Sequence, residues 1–353
     1  MQTPFFPQWR PRLAALGRNV QLLRRHSLPG LERLFGPFLP AGLLEPAPAG
    51  PHSRRRVFSL RRTVFGFLYQ ALNPACPCRE VVRQIQALFG LHDGPPVHSG
   101  TSAYCQARGR LPQALLPRLR QTAARHAEKT AARWHGLRVK VIDGTGLSLP
   151  DTKANQRAYP QSAGQKPGCG FPLLKIVGVF SLASGALLAY AKGNKHQHEL
   201  NLCHPLRDQF EPGDLVLADR GFSVYTLMAW LLGGGVQSLF GLHHCRAADF
   251  RKGKRLGRND RLLTWRKPQN WQRRRYLGLR LWNHLAGQLS VRIVRFTLAV
   301  PGFRTQSVPW SPPCWMPKPS RLKNWPGSTC GAGALHSGFV TSKPPWAWKS
   351  CAA

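Results

Sequence analysis

Two aspartates of this chain stand where chemistry could be done. Leu137-Arg138-Val139-Lys140-Val141-Ile142 alternates apolar and basic residues as a strand does and stops on Asp143, and Gly144 and Gly146 are expected to end that strand at once. Leu215-Val216-Leu217-Ala218 is a second apolar run that stops on an acid, Asp219, followed by Arg220-Gly221. If the two strands lie side by side and parallel, both carboxylates emerge on one edge of a sheet, where they can share a divalent metal. Carboxylate oxygens suit Mg2+ or Mn2+ better than imidazole or thiolate would, and phosphoryl-transfer enzymes need this arrangement. Either aspartate alone would say little, because a strand-end Asp is usually a turn or cap residue.

The charge balance names the class of partner. With 51 Lys and Arg against 14 Asp and Glu, the 353-residue chain carries a formal charge of +37, and the counter-surface expected for it is a polyanion, nucleic acid above all. A basic amphipathic anchor for an anionic membrane is lacking. A long apolar stretch, Phe171 to Ala191, has Lys175 as its one charge and is broken by Pro172, Ser181, Ser184 and Gly185. It reads as a hairpin turning at Ser184-Gly185, not as a membrane span. No secretory h-region is visible between Met1 and Leu16. Of nine cysteines, Cys76 and Cys78 alone are closely spaced, without the second pair that a zinc site needs. Reduced cytosolic thiols are the expectation.

The elements that must position the two acids follow from periodicity. Residues 1–135 read as a helical region: short basic pieces and prolines up to about residue 50, then apolar positions at helical spacing on both sides of Asn73-Pro74-Ala75-Cys76-Pro77-Cys78, and a long helix from about Leu115 to His135. Arg61, Arg62, Arg79 and Arg83 lie on the helix pair and make it either a DNA-binding unit or a bundle with a solvated basic face. After Asp143, a hairpin is expected over 173–182 and 186–192, a helix over 199–209, the strand ending on Asp219, a helix over 226–232, and a strand over 238–242. Three antiparallel strands, helix, strand, helix, strand is the order of a ribonuclease-H-like sheet, in which the first and fourth strands are neighbours. The predicted class is therefore α/β: a ribonuclease-H-like mixed sheet core over 136–245 behind an N-terminal helical domain.

These residues resemble a family, the DDE transposases of bacterial insertion sequences, in the branch named after insertion sequence four. The resemblance rests on Val141 to Thr152, Tyr159-Pro160, Lys166 to Pro172 and Gly213 to Phe222, and runs from about Phe58 to Ser307. It implies a β-rich insertion after Asp219, here the basic region 246–307, and cleavage and joining of DNA at transposon ends. It further implies Asp143 and Asp219 as catalytic metal ligands, Mg2+ or Mn2+ as cofactor, and double-stranded DNA, both transposon ends and target, as partner. Arg220, Arg251, Lys252, Lys254 and Arg255 are expected to follow the DNA backbone, and a homodimer is a further expectation. His198 and Glu199 read as helix-cap residues, with a supporting place near the metal as the alternative.

Where the chain departs from the family is equally informative. The family's third ligand is a glutamate on a late helix, within a pattern of Tyr, Arg, Glu and Lys that is absent here. No Asp or Glu follows Asp260, although an average chain would carry about 11 over that distance. A weaker anomaly covers Asn270 to Leu285, basic and unlike the relatives. The segment 308–353 has Trp310, Trp315, Trp325, Trp346 and Trp348 among many prolines and reads as coding sequence translated in the wrong frame, an aberrant tail expected to be disordered. Its tryptophans fit ordinary disordered composition poorly, and stacking on single strands would need a folded platform. Three readings follow. The chain is a transposase by descent, inactive for want of the third acid; a non-catalytic DNA-binding protein that interferes with intact transposase; or a nuclease that recruits Asp249 or Asp260 to Asp143 and Asp219.

Overall fold

Strand formation in the centre of the chain follows apolar alternation with a partner on each side. The computed structural model describes residues 21–311 apart from 24, 37–38, 40–41, 46–55, 74, 167, 243–249, 270–278 and 299–305. It divides into two units whose boundary falls between His126 and Ala127.

The N-terminal unit is helical: α1 (Leu28–Phe35), α2 (Leu60–Leu72), α3 (Cys78–Gly90), α4 (Ser102–Gly109) and α5 (Leu115–Glu128). Ser59 caps α2 by accepting from the Arg62 N–H at 3.3 Å. Val81, Val82, Ile85, Tyr104 and Ala107 form one buried cluster and Leu31, Val64, Phe65 and Leu115 another. Gly66 lets α2 approach its neighbours, since a Cβ there would meet Val81 Cγ1 at 2.8 Å. The long helix expected to reach His135 stops at Glu128. Further on, His135 at φ 46° and Gly136 at φ 80° make a tight left-handed turn, closed by the bridge between Trp134 and Leu137, that leads into the first strand.

The second unit is built on one sheet: β1 (Arg138–Ser148), β2 (Leu173–Ser181), β3 (Leu187–Gly193), β4 (Asp214–Ala218), β5 (Gln237–Gly241), β6 (Lys254–Gly257), β7 (Asp260–Arg266), β8 (Gln288–Leu298) and β9 (Gln306–Ser311). The helices are α6 (Lys153–Ala158), α7 (Glu199–Cys203), α8 (Tyr225–Gly233) and α9 (Leu279–His284), and a 3-10 turn, His204–Gln209, continues α7. The strand order is β3-β2-β1-β4-β5-β9-β8-β7-β6. Its first five strands are the ribonuclease-H-like mixed sheet: β2 pairs antiparallel with β1 and β3, and β4 pairs parallel with β1 and β5. Successive residues of β1 and β4 face opposite sides. Ile142, Val216 and Ala218 join the core beneath α7 and α8, while Val139, Val141, Leu215 and Leu217 join Leu239 on the other face. The segment from Phe171 to Ala191 lies largely in the β2–β3 hairpin, and among the described residues no helix is long and apolar enough to cross a membrane.

Two expectations need correction. Gly144 and Gly146 do not end β1, which runs on to Ser148 because β2 is long enough to pair with it throughout, Gly144 with Val177 and Gly146 with Lys175. What ends at Ile142 is the parallel pairing with β4. Second, β9 crosses the junction expected at 307/308: Val308 pairs with Phe296, and Trp310 with both Val294 and Gly241. Residues 308–311 thus belong to the sheet, and β9 joins the five-stranded core to the β6–β8 meander. The remainder of the tail lies outside the described residues.

Candidate active site

Asp143 is the first residue of β1 beyond its last parallel partner, and Asp219 the first residue after β4. The register Ile142 with Ala218 sets the two acids at equivalent positions, each one residue past the last pair of the adjacent strands. Each is held by a local bond. The Gly144 N–H donates to Asp143 Oδ1 at 2.9 Å, and the Gly221 N–H donates to Asp219 Oδ1 at 2.8 Å, which caps the 3-10 turn Arg220–Phe222. Glu199 comes from the opposite direction, at the start of α7, where His198 Nδ1 accepts from the Leu200 N–H at 3.2 Å and caps the helix as the sequence suggested. Its carboxylate rests over Gly144: a Cβ on that glycine would lie 2.7 Å from Glu199 Oε1.

The charge environment is unusual for so basic a chain. Among the described residues no basic side chain pairs with Asp143, Asp219 or Glu199. Other acids of the unit are neutralised instead, Glu211 and Asp214 by Arg138, Asp208 by Arg207, and Asp260 by Arg292. Burial pushes the Asp143 carboxyl up to about 6; the bond from Gly144 opposes the rise, and the charges of Asp219 and Glu199 add to it. Its folded value stands above the unfolded one, so its contribution to stability is fully present below about pH 4 and is lost as pH rises through about 6. Melting curves of the metal-free chain and of Asp143→Asn should therefore agree best near pH 4, and the variant should melt at the higher temperature by pH 7. A constant difference across that range would contradict the burial argument.

The donor set is all carboxylate oxygen, suited to Mg2+, which is commonly held by one or two carboxylates together with water and substrate phosphate. Among the described residues no group of three or more His, Cys, Asp or Glu is placed to hold a metal ion as it stands. Asp260 is removed from consideration by its geometry: it is buried and takes Arg292 Nε at 3.0 Å and Nη2 at 2.7 Å, a strut between β7 and β8. Asp249 lies outside the described residues.

The residues expected to meet DNA divide into two groups. Arg61 pairs with Glu32 and Glu45, and the Arg62 guanidinium lies 4.7 Å from the Phe89 ring centre and donates to the Val57 carbonyl, so both serve the helical unit internally. Arg79 and Arg83 are exposed on α3, Arg83 being 3.7 Å from Glu80. Arg220 is exposed beside Asp219, and Arg251, Lys252, Lys254 and Arg255 are exposed on the turn into β6. Gly253, at φ 76°, gives that turn its shape, since a Cβ there would strike the Leu262 carbonyl at 2.4 Å.

A sheet of order 3-2-1-4-5 with an acid following each of its two central parallel strands defines a ribonuclease-H-like protein. Residues 134–312, half of the chain, match the model of the transposase DDE domain, and the chain belongs to that family. It is similar to the transposase InsG for insertion sequence element IS4 of Escherichia coli (strain K12), 26% identical over 253 residues, which are 69% of this chain and 53% of that protein. The chain thus spans about half the length of the curated relative it matches. Both findings support a DDE transposase of the IS4 type, and the family match, like β9, extends past the 307/308 junction.

Proposed function

We propose that the chain binds double-stranded DNA and carries the metal-binding half of a transposase active site, with strand transfer itself lost. The observation that carries this reading is the placement of Asp143 and Asp219 at equivalent positions of neighbouring parallel strands, with no basic side chain paired with either among the described residues. These two residues would hold Mg2+ or Mn2+, which, when bound, polarises a phosphate oxygen and favours attack by water or a 3′-hydroxyl. Asp143 must give up its proton for that role, so metal affinity should fall below about pH 6.

Arg220, next to Asp219, is positioned to meet a phosphate near the acids, and the 251–255 turn offers four further cations to the backbone. On α3, Arg79 and Arg83 could contact DNA independently of that turn. Transposon ends and target DNA are the substrates this reading implies. In this reading strand transfer is lost because no acid follows Asp260 within these 353 residues and Asp260 itself is committed to Arg292.

Titrating a fluorescent duplex at several salt concentrations tests the DNA reading. Each phosphate neutralised adds about 0.9 to the slope of log affinity against log salt. Replacing Arg251, Lys252, Lys254 and Arg255 by Ala should flatten that slope by about 3 to 4 if each meets one phosphate. A slope near zero in the unaltered chain would refute DNA binding through these charges.

A further inference from the structure

The helical unit brings cysteines together that neither the metal nor the DNA reading uses. Cys78 is the first residue of α3, and Cys105 lies within α4. The Cys78 sulfur accepts from Arg108 Nη1 at 3.5 Å and from Gln70 Nε2 at 3.7 Å. Both donors are fixed in turn: Gln70 Oε1 accepts from Tyr104 Oη at 2.8 Å and from Arg108 Nη1 at 3.1 Å, and the Arg108 guanidinium lies 5.2 Å from the Phe67 ring centre. Arg108 follows Cys105 by one helical turn, so one face of α4 presents both residues to Cys78. The two thiols share a hydrogen bond. Cys105 is exposed and Cys78 half-buried, which leaves the pair within reach of a small solute. A third cysteine, Cys76, stands between α2 and α3 and directs its thiol to the Pro77 carbonyl at 3.7 Å.

We propose that Cys78 and Cys105 are a modification site, a pair that forms a reversible disulfide with a low-molecular-weight disulfide as the oxidant and so fastens the start of α3 to α4. Cys78 is the attacking sulfur: a braced guanidinium and an amide N–H already point at it, and donors so placed hold the charge that sulfur carries when it attacks. In the first step the Cys78 sulfur bonds to one sulfur of the small disulfide, whose S–S bond breaks, and the thiol released takes the Cys78 proton. In the second step the Cys105 sulfur attacks Cys78 and displaces the other small thiol, which takes the Cys105 proton. The protein pair loses two electrons and the small disulfide gains them as it becomes two thiols. The ring closed in this way contains all of α3 and with it Arg79 and Arg83, the exposed cations of that helix. Oxidation restrains the helix that presents them, and reduction releases it.

The experiment is oxidation of the full folded chain with oxidised glutathione, blocking of the remaining thiols with iodoacetamide, and mass spectrometry of the digested peptides. The Cys78 and Cys105 peptides are expected to be recovered linked, and to separate again after dithiothreitol. Cys105→Ser should leave Cys78 carrying a stable glutathione adduct, because the second step has lost its thiol. Cys76→Ser should give the same linked pair as the unaltered chain. Oxidation should raise the melting temperature of the helical unit by at least about 4 °C, since the cross-link restricts the unfolded chain. Cys78→Ser and Cys105→Ser should lose that rise. The peptide measurement needs no variant, so a variant that folds poorly leaves the test intact. Recovery of Cys78 and Cys105 blocked by iodoacetamide after the oxidation step, or linkage of Cys76 in place of either, would overturn the inference.

Discussion

Mixed with a duplex carrying transposon ends and with Mg2+ or Mn2+, the purified chain is expected to leave the strands unjoined, at least about two to three powers of ten below a relative that has the late glutamate. Loss of one preorganised electrostatic partner commonly costs that much, and here the Arg and Lys of the same helical pattern are missing as well. Two-ion chemistry distributes acidic side chains so that attacking and leaving oxygens are both stabilised. In this chain Asp143 lies where the pairing of β1 with β4 ends and Asp219 directly after β4, while Asp260, the last acid of the sequence, is held by Arg292 on the β7–β8 side of the sheet. Among the described residues no third acid joins the two aspartates in a group that could hold a metal ion. Joining products and nicks are to be scored separately on a denaturing gel. Robust joining that Asp143→Ala abolishes would show that another residue supplies the missing ligand.

Asp214→Ala is expected to destabilise the sheet unit by about 3–5 kcal/mol, the cost of stranding buried charges when one partner is removed. Asp214 is fully buried at the start of β4 and takes Arg138 Nε at 2.6 Å, Lys140 Nζ at 2.7 Å and the Glu211 N–H at 2.8 Å. Lys140, itself buried, would be left to the Gln209 carbonyl. The two basic residues lie on β1, so this cluster clamps the pair of strands that carries Asp143 and Asp219, at the end opposite those acids. Glu211→Ala, by contrast, removes an exposed partner of Arg138 and should cost about 0–1 kcal/mol. Urea unfolding of the two variants checks both values. A loss under about 1 kcal/mol for Asp214→Ala would mean that the clamp contributes little.

How much of this was legible beforehand depended on whether the signal was local. The parallel pair with its two acids was visible because an apolar run ending on Asp before a turn needs no distant information, and element order then placed β1 beside β4. The extent of β1 was not visible. Glycine breaks a strand by propensity, but β2 supplies partners through Gly144 and Gly146, and cross-strand bonding outweighs local preference. The strand across 306–311 was not visible for a similar reason: Val308 to Ser311 have no periodicity of their own and become a strand through pairing with β8 and β5.

Composition by itself pointed to a polyanion partner, and element order pointed to the fold class and to Asp143 and Asp219 as a candidate site, because charge count and alternation are properties of the chain in one dimension. Only the tertiary structure decided which charges remain available. Arg61 and Arg62 are engaged by Glu32, Glu45 and Phe89, Asp260 by Arg292, and Asp214 by Arg138 and Lys140. It also decided that Glu199, apparently a helix-cap residue, reaches Gly144 across a gap of 55 positions in sequence. Pairing of charges is set by distances in space, and those exist only once the sheet has brought β1, β4 and α7 together.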